Sequence, residues 1–209
     1  MLTNKLLGVI FDLDNTLVSS SLNFDHIKAS IDCPNNVDLL SFVDSLPAEK
    51  QQIAKKLIIA HEMADALSAK KLEGTDKLLS LLSQYKIPCA IVTRNSQQAA
   101  ALKVQNNAID IPIILTREDH QPKPAPDALL YLAKHWNMAP ENLLYVGDYL
   151  YDLQAALNAN TMSCIVTHGQ NLDYAHLADL VVHDLNELSN ALEEPLHLSQ
   201  TSLVSNHVC

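Results

Sequence analysis

Gly8-Val-Ile-Phe-Asp-Leu-Asp-Asn-Thr-Leu-Val18 is a short β-branched and aromatic run that ends in two aspartates and a threonine. A Val/Ile/Phe run of this length reads as a strand buried on both faces, as in a parallel sheet covered by helices. Acidic residues at its carboxyl end fall where open α/β sheets build their ligand crevices. Asp12 and Asp14 stand two residues apart, so on an extended backbone their carboxylates point the same way and can share a cation. Alone, such an Asp-x-Asp is equally a strand running into a polar turn, and other segments decide between the two readings.

Cys89-Ala-Ile-Val-Thr-Arg-Asn95 is a second buried-looking strand, ending in a hydroxyl and an amide. Gln121-Pro-Lys-Pro-Ala-Pro-Asp127 places one lysine in a proline-stiffened loop ahead of a helical run from Ala128 to Trp136. Leu143-Leu-Tyr-Val-Gly-Asp148, followed by Tyr149-Leu-Tyr-Asp152, is again a strand that delivers acids at its end. Strand-like and helix-like units alternate around these segments, the pattern of an α/β, Rossmann-like three-layer core with a parallel sheet. Strands are predicted at Leu6 to Phe11, Pro88 to Thr93, Ile111 to Thr116, Leu143 to Val146, Ser163 to Val166 and Leu180 to Val182. Helices are predicted at Thr75 to Tyr85, Ser96 to Asn106, Pro126 to Trp136, Leu150 to Asn158 and Asn186 to Glu193. Ser96 can cap the second of these, and Asn160 can take the left-handed conformation that ends the fourth.

Ser19 to Glu73 breaks the alternation. It shows helical periodicity, clearest from Pro47 to Leu72, where Ile53, Leu57, Ala60, Ala64 and Leu67 recur at steps of three and four and predict the packed face. Pro47 suits a first helical turn and Gly74 a stop. An all-helical insertion after the first strand, residues 19 to 73, would interrupt a core made of residues 1 to 18 and 74 to 190. Residues 191 to 209 read as a flexible tail.

In order and spacing, the four acid-, hydroxyl- and lysine-bearing segments resemble the signature motifs of the haloacid dehalogenase superfamily. The resemblance runs from Lys5 to Asp184 and is to its phosphatase branch with a small helical cap, the phosphoglycolate phosphatase and β-phosphoglucomutase group. It implies that Asp12 is a nucleophile forming an aspartyl-phosphate and that Asp14 is the general acid and base. It implies Mg²⁺ as cofactor, held by the carboxylates of Asp12 and Asp148 and the backbone carbonyl of Asp14, with Asp152 one helical turn on as support. Thr93 and Lys123 would grip the phosphoryl oxygens, helped by the backbone N–H of Arg94 and Asn95 at a helix start. The Arg94 side chain would meet substrate, a cap carboxylate or solvent. Thr16 would support the loop by hydrogen bonding, and Asn15 would adopt a positive φ.

The donor types agree with that cofactor, being hard oxygens with no His or Cys cluster to offer a different metal. An aspartate ordinarily stays ionised at neutral pH and can attack without a base of its own. Asp14, by contrast, must be able to hold a proton, which nearby negative charge and partial burial favour. Its presence selects phosphoryl transfer, because a halide needs no proton on leaving. A related sugar phosphomutase uses a cap arginine for a second phosphate, and no arginine lies between Ser19 and Glu73. Hydrolysis of a small phosphorylated metabolite is therefore the leading expectation, with phosphomutase and non-catalytic phosphate binding as alternatives.

Composition frames these expectations. The chain has 209 residues, is 48% hydrophobic and carries a formal charge of -10, with a pI near 5.2. That excess of acid argues against a nucleic-acid or anionic-membrane surface. No stretch approaches the ~20 apolar residues of a membrane span. Met1-Leu-Thr-Asn-Lys5 leads straight into the first strand, and removing a leader from this end would destroy the Asp-bearing segment, so no signal peptide is expected. Cys33, Cys89, Cys164 and Cys209 are scattered without metal-ligand spacing, as in a reduced cytoplasmic protein. His61-Glu62 lacks the second histidine of a zinc-protease helix. Oligomeric state is not legible.

Overall fold

The computed structural model of the chain describes residues 6–205. Six strands form one sheet: β1 (Gly8–Phe11), β2 (Cys89–Val92), β3 (Ile113–Leu115), β4 (Leu143–Gly147), β5 (Met162–Val166) and β6 (Leu180–Val182). All pairings are parallel, in the order β3-β2-β1-β4-β5-β6. From β1 the sheet grows outward in both directions, which makes its carboxyl end the switch point where such sheets bind ligands.

Eight helices accompany the strands: α1 (Phe24–Ser30), α2 (Leu39–Ser45), α3 (Ala48–Ser68), α4 (Thr75–Gln84), α5 (Gln97–Asn106), α6 (Asp127–His135), α7 (Leu150–Ala159) and α8 (Leu185–Ser205). Alternation along the strands builds two apolar layers. Val9, Phe11, Leu144 and Val146 pack on one face with Leu78, Leu82, Leu188 and Leu192 of α4 and α8. Ile10, Leu143 and Tyr145 pack on the other with Leu129, Leu132, Ala155 and Ala156 of α6 and α7. Both expected helix-end signals are present. Ser96 accepts from the Ala99 N–H at the start of α5, and Asn160 ends α7 at φ 58°.

Helices α1 to α3 stand between β1 and α4 and share their own apolar cluster of Ile27, Cys33, Leu39, Val43, Ala54 and Ile58. The buried face of α3 is not the one expected. Ile53 and Leu67 are 67% and 70% exposed, whereas Ala54, Ile58, Glu62, Asp65 and Ala66 are buried. The expected apolar stripe lies one residue off the packed face, because that face carries two acids.

The expected end of the core at residue 190 is also corrected. Helix α8 continues to Ser205 through Pro195, and Leu192 and Leu196 are buried in the core. The run 185, 188, 192, 196 keeps helical spacing past the proline, and its packing against α4 outweighs the backbone hydrogen bond lost there. Residues 1 to 5 and 206 to 209, including Cys209, lie outside the described residues. Cys33, Cys89 and Cys164 are free thiols. Among the described residues no helix is long and apolar enough to cross a membrane.

Candidate active site

A cavity of about 630 Å³ opens at the carboxyl ends of β1, β2 and β4, beneath α1 and α2. Asp12, Asp14, Thr93, Arg94, Asn95, Lys123, Asp148 and Asp152 all line it. Thus residues from four segments, separated by up to 140 positions, meet in one crevice, and of the expected site residues only Thr16 stands outside its lining.

Lys123 lies at the centre. Its Nζ is 2.8 Å from Asp12 Oδ1 and 2.6 Å from Asp152 Oδ1, with the Tyr145 ring centroid 5.5 Å away. Burial alone would lower the lysine's pKa, but Asp12 and Asp152 hold it above the ordinary value. Asp152 is fully engaged by protein donors. The Tyr145 hydroxyl lies 3.1 Å from its Oδ1, and its Oδ2 accepts from the Tyr149 N–H at 3.0 Å. It therefore fixes the lysine and caps α7, which fits a supporting place beside Asp12 and Asp148.

Ligand oxygens of Asp12, Asp148 and Asp152 lie within 4.8 Å of one another. Burial is the main reason the Asp12 carboxyl is pushed up to about 7. Lys123 opposes the shift, and Asp152 and Asp14 add to it. Burial, then Asp12 and Asp152, push Asp148 up to about 8. The expectation that Asp12 is simply ionised at neutral pH is corrected, since the buried carboxylates of Asp12 and Asp152 share one lysine with the partly buried Asp148 beside them. A hard divalent cation suits this surplus of negative oxygen, so the residues fit Mg²⁺.

Asp14 has unexpected neighbours. Its Oδ1 pairs with Lys103 Nζ, and its Oδ2 accepts from Asn95 Nδ2 at 2.8 Å. A cation and an amide contact it directly, with the Asp12 carboxyl also near enough to act on it. Asn95 donates its backbone N–H (3.2 Å) and its Nδ2 (2.9 Å) to Thr93 Oγ1. Its N–H is engaged by the Thr93 hydroxyl, and the residue orders Thr93 and Asp14 together. Thr16 is also corrected: its hydroxyl has no hydrogen-bond partner among the described residues. The loop is held by main chain instead, with Asn15 N–H on the Val18 carbonyl and Leu17 and Val18 N–H on Leu13. Asn15 takes φ 52°, as expected.

The Arg94 side chain meets a carboxylate of the helical insertion, Asp38, at 2.6 Å and lies 4.7 Å over the Tyr151 ring. Burial would raise the Asp38 carboxyl, but the Ser41 N–H and Arg94 hold it below the ordinary value. Deeper in, Glu62 of α3 receives both Arg117 Nη1 (2.5 Å) and Nη2 (3.0 Å), and its Oε2 also accepts the Ser96 N–H at 3.1 Å. Arg117 Nη1 further donates to the Arg94 carbonyl at 2.6 Å.

Residues 21–166 match the haloacid dehalogenase-like hydrolase family. The chain belongs to that family. It is 27% identical to a haloacid dehalogenase-like hydrolase domain-containing protein of Arabidopsis thaliana, across 93% of this chain and 87% of that one. It is 28% identical to a phosphoglycolate phosphatase of Shigella dysenteriae, across 93% of this chain and 96% of the relative. In fold it resembles a hydrolase of the family from Deinococcus radiodurans solved with bound phosphate and sodium. That likeness has a TM-score of 0.65 at 20% identity, covering 91% of this chain and 96% of the other. The chain is therefore a haloacid dehalogenase-like hydrolase with phosphatase relatives. Sequence reasoning missed Lys103, Asp65, Glu62 and Arg117. For Glu62, Asp65 and Lys103 the signal was a charged residue at helical spacing from buried apolar ones, such as Lys103 one turn after Ala99 and Ala100, whereas Arg117 follows β3 and carried no such spacing.

Proposed function

We propose that the protein hydrolyses a small phosphate monoester in two steps, with Asp12 as nucleophile and Asp14 as proton donor and acceptor. The observation that carries this reading is the Asp12 carboxylate, 2.8 Å from Lys123 Nζ, in a cavity it shares with Thr93, Asp14 and Asp148. A nucleophile, cationic stabilisation and a proton carrier are what phosphoryl transfer from an ester requires.

In the first step an Asp12 oxygen attacks phosphorus, the P–O bond to the alcohol breaks, and the departing alkoxide takes a proton from the Asp14 carboxyl. In the second, water attacks the aspartyl-phosphate, Asp14 takes a proton from that water, and the bond between Asp12 and phosphorus breaks. Lys123 and the Thr93 hydroxyl hold the phosphoryl oxygens, joined by the Arg94 N–H. Mg²⁺ would be held by the carboxylates of Asp12 and Asp148 and by the Asp14 carbonyl, where it would favour ionised Asp12 and offset charge on the phosphoryl group.

Helices α1 and α2 over the crevice favour small substrates. Phosphomutase is the weaker reading, since residues 19–73 contain no arginine and Arg94 is already paired with Asp38. The test is phosphate release from a panel of small esters and an aryl phosphate, with Mg²⁺ or EDTA. Metal-dependent release should fall by more than about a thousandfold in Asp12→Asn. Substantial release by a pure Asp12→Asn preparation would sink the mechanism.

A further inference from the structure

Lys103 is fully buried in the last turn of α5, where a buried lysine is costly unless paired. It has two carboxylate partners, Asp14 and Asp65, the latter at 2.8 Å, and Asn95 Oδ1 lies 3.5 Å away. Asp65 belongs to α3 and is itself held by the linker that leaves the Asp14 loop. It accepts from Ser20 Oγ at 2.9 Å, Ser21 N–H at 2.6 Å and Ser21 Oγ at 2.8 Å. Burial alone would raise the Asp65 carboxyl, but Lys103 and Ser21 donors hold it below the ordinary value. The lysine is therefore anchored at its far side by a fixed carboxylate, and its other side is on Asp14.

We infer that Lys103 is a positioning residue for catalysis. Clamped between Asp65 and Asp14, it sets with Asn95 the direction in which the Asp14 carboxyl faces the cavity. Asp14 has few other means of orientation. Its Oδ1 is on Lys103 and its Oδ2 on Asn95. Without the lysine the carboxyl is left on one amide and is free to turn, and a displaced proton carrier loses much of its rate advantage. The inference rests on the proposed role of Asp14.

The role has a signature that a general structural contribution lacks. An alkyl ester needs its leaving oxygen protonated, whereas an aryl phosphate does not. Removal of the aspartyl-phosphate needs Asp14 for either ester. In Lys103→Met, kcat/KM for an alkyl ester should fall roughly ten- to a hundredfold more than kcat/KM for an aryl phosphate. With the aryl phosphate, kcat should fall while kcat/KM largely holds, and an initial burst of aryl alcohol should appear. The double variant Lys103→Met with Asp65→Asn removes the carboxylate that Lys103→Met leaves buried without its cation, yet keeps an acceptor for Ser20 and Ser21. It should show the same pattern and serves if the single variant does not fold. Equal losses of kcat/KM for both esters, or no loss in either, would overturn the inference while leaving the phosphatase reading in place. Absence of turnover by the wild-type protein would remove both.

Discussion

Gly147 marks how closely the acids of the site are packed. A Cβ built there would lie 2.3 Å from both Cγ and Oδ2 of Asp152, so no side chain fits without moving that carboxylate. Because Asp152 holds Lys123 at 2.6 Å, Gly147→Ala should loosen the lysine as well as strain β4. The expected result is a loss of about 1–3 kcal/mol in unfolding free energy, together with weaker phosphate binding. Unchanged stability by denaturant titration and unchanged inhibition by inorganic phosphate would contradict it. The acids, Thr93 and Lys123 were legible in sequence because each ends a strand or stands in a stiffened loop, and strand ends converge in a parallel sheet. The partners of Asp14 were not, since the spacing of Lys103 from Ala99 and Ala100 can turn it inward without saying that it meets residues 14 and 65.

At the level of elements, the insertion is joined to the core through ion pairs of different depth, one from α3 and one from the start of α2. Glu62 and Arg117 have side chains only 7% and 12% exposed, while Asp38 and Arg94 are at 26% and 22%. Removing one partner of a buried pair strands the other, at about 3–5 kcal/mol, whereas a more exposed pair is worth about 1 kcal/mol or less. Glu62→Ala should therefore lower stability by about 3 kcal/mol or more, and Asp38→Ala, which also loses the cap on the Ser41 N–H at the start of α2, by about 1–2 kcal/mol. Equal effects in paired chemical denaturation curves would refute that ranking. Strand and helix positions in the core were readable because periodicity there follows apolar residues. On α3 the same periodicity points to the exposed face, since the buried one bears Glu62 and Asp65, whose burial is made tolerable by Arg117 and Lys103 from distant segments. The continuation of α8 past Pro195 is hidden for a related reason, because tertiary packing of Leu192 and Leu196 overrides local helix propensity.

For the whole molecule, the acidic crevice links stability to pH and to metal. Burial in the folded protein pushes the Asp12 carboxyl up to about 7 and Asp148 up to about 8, from 3.8 for an ordinary aspartate. Carboxyls raised in this way make the folded state bind more protons than the unfolded chain. The stability they contribute is full below about pH 4 and is lost as pH rises through about 7 to 8. A divalent cation displaces those protons and binds the folded state, so its stabilising effect grows with pH. With EDTA the Tm should drop as pH rises from about 4 to about 8, and excess Mg²⁺ should raise it more at the alkaline end. Parallel curves with and without Mg²⁺ would refute the linkage. The chemistry itself turns on whether phosphorus becomes bonded to Asp12. Acid-quenching the protein during turnover of an aryl phosphate and mapping phosphorylated peptides by mass spectrometry decides the matter. One phosphoryl group on Asp12, absent from Asp12→Asn, is the expected result. Efficient phosphate release with no phosphorylated protein at any time, under quench conditions that preserve acyl phosphates, would mean that water attacks the ester without a covalent step.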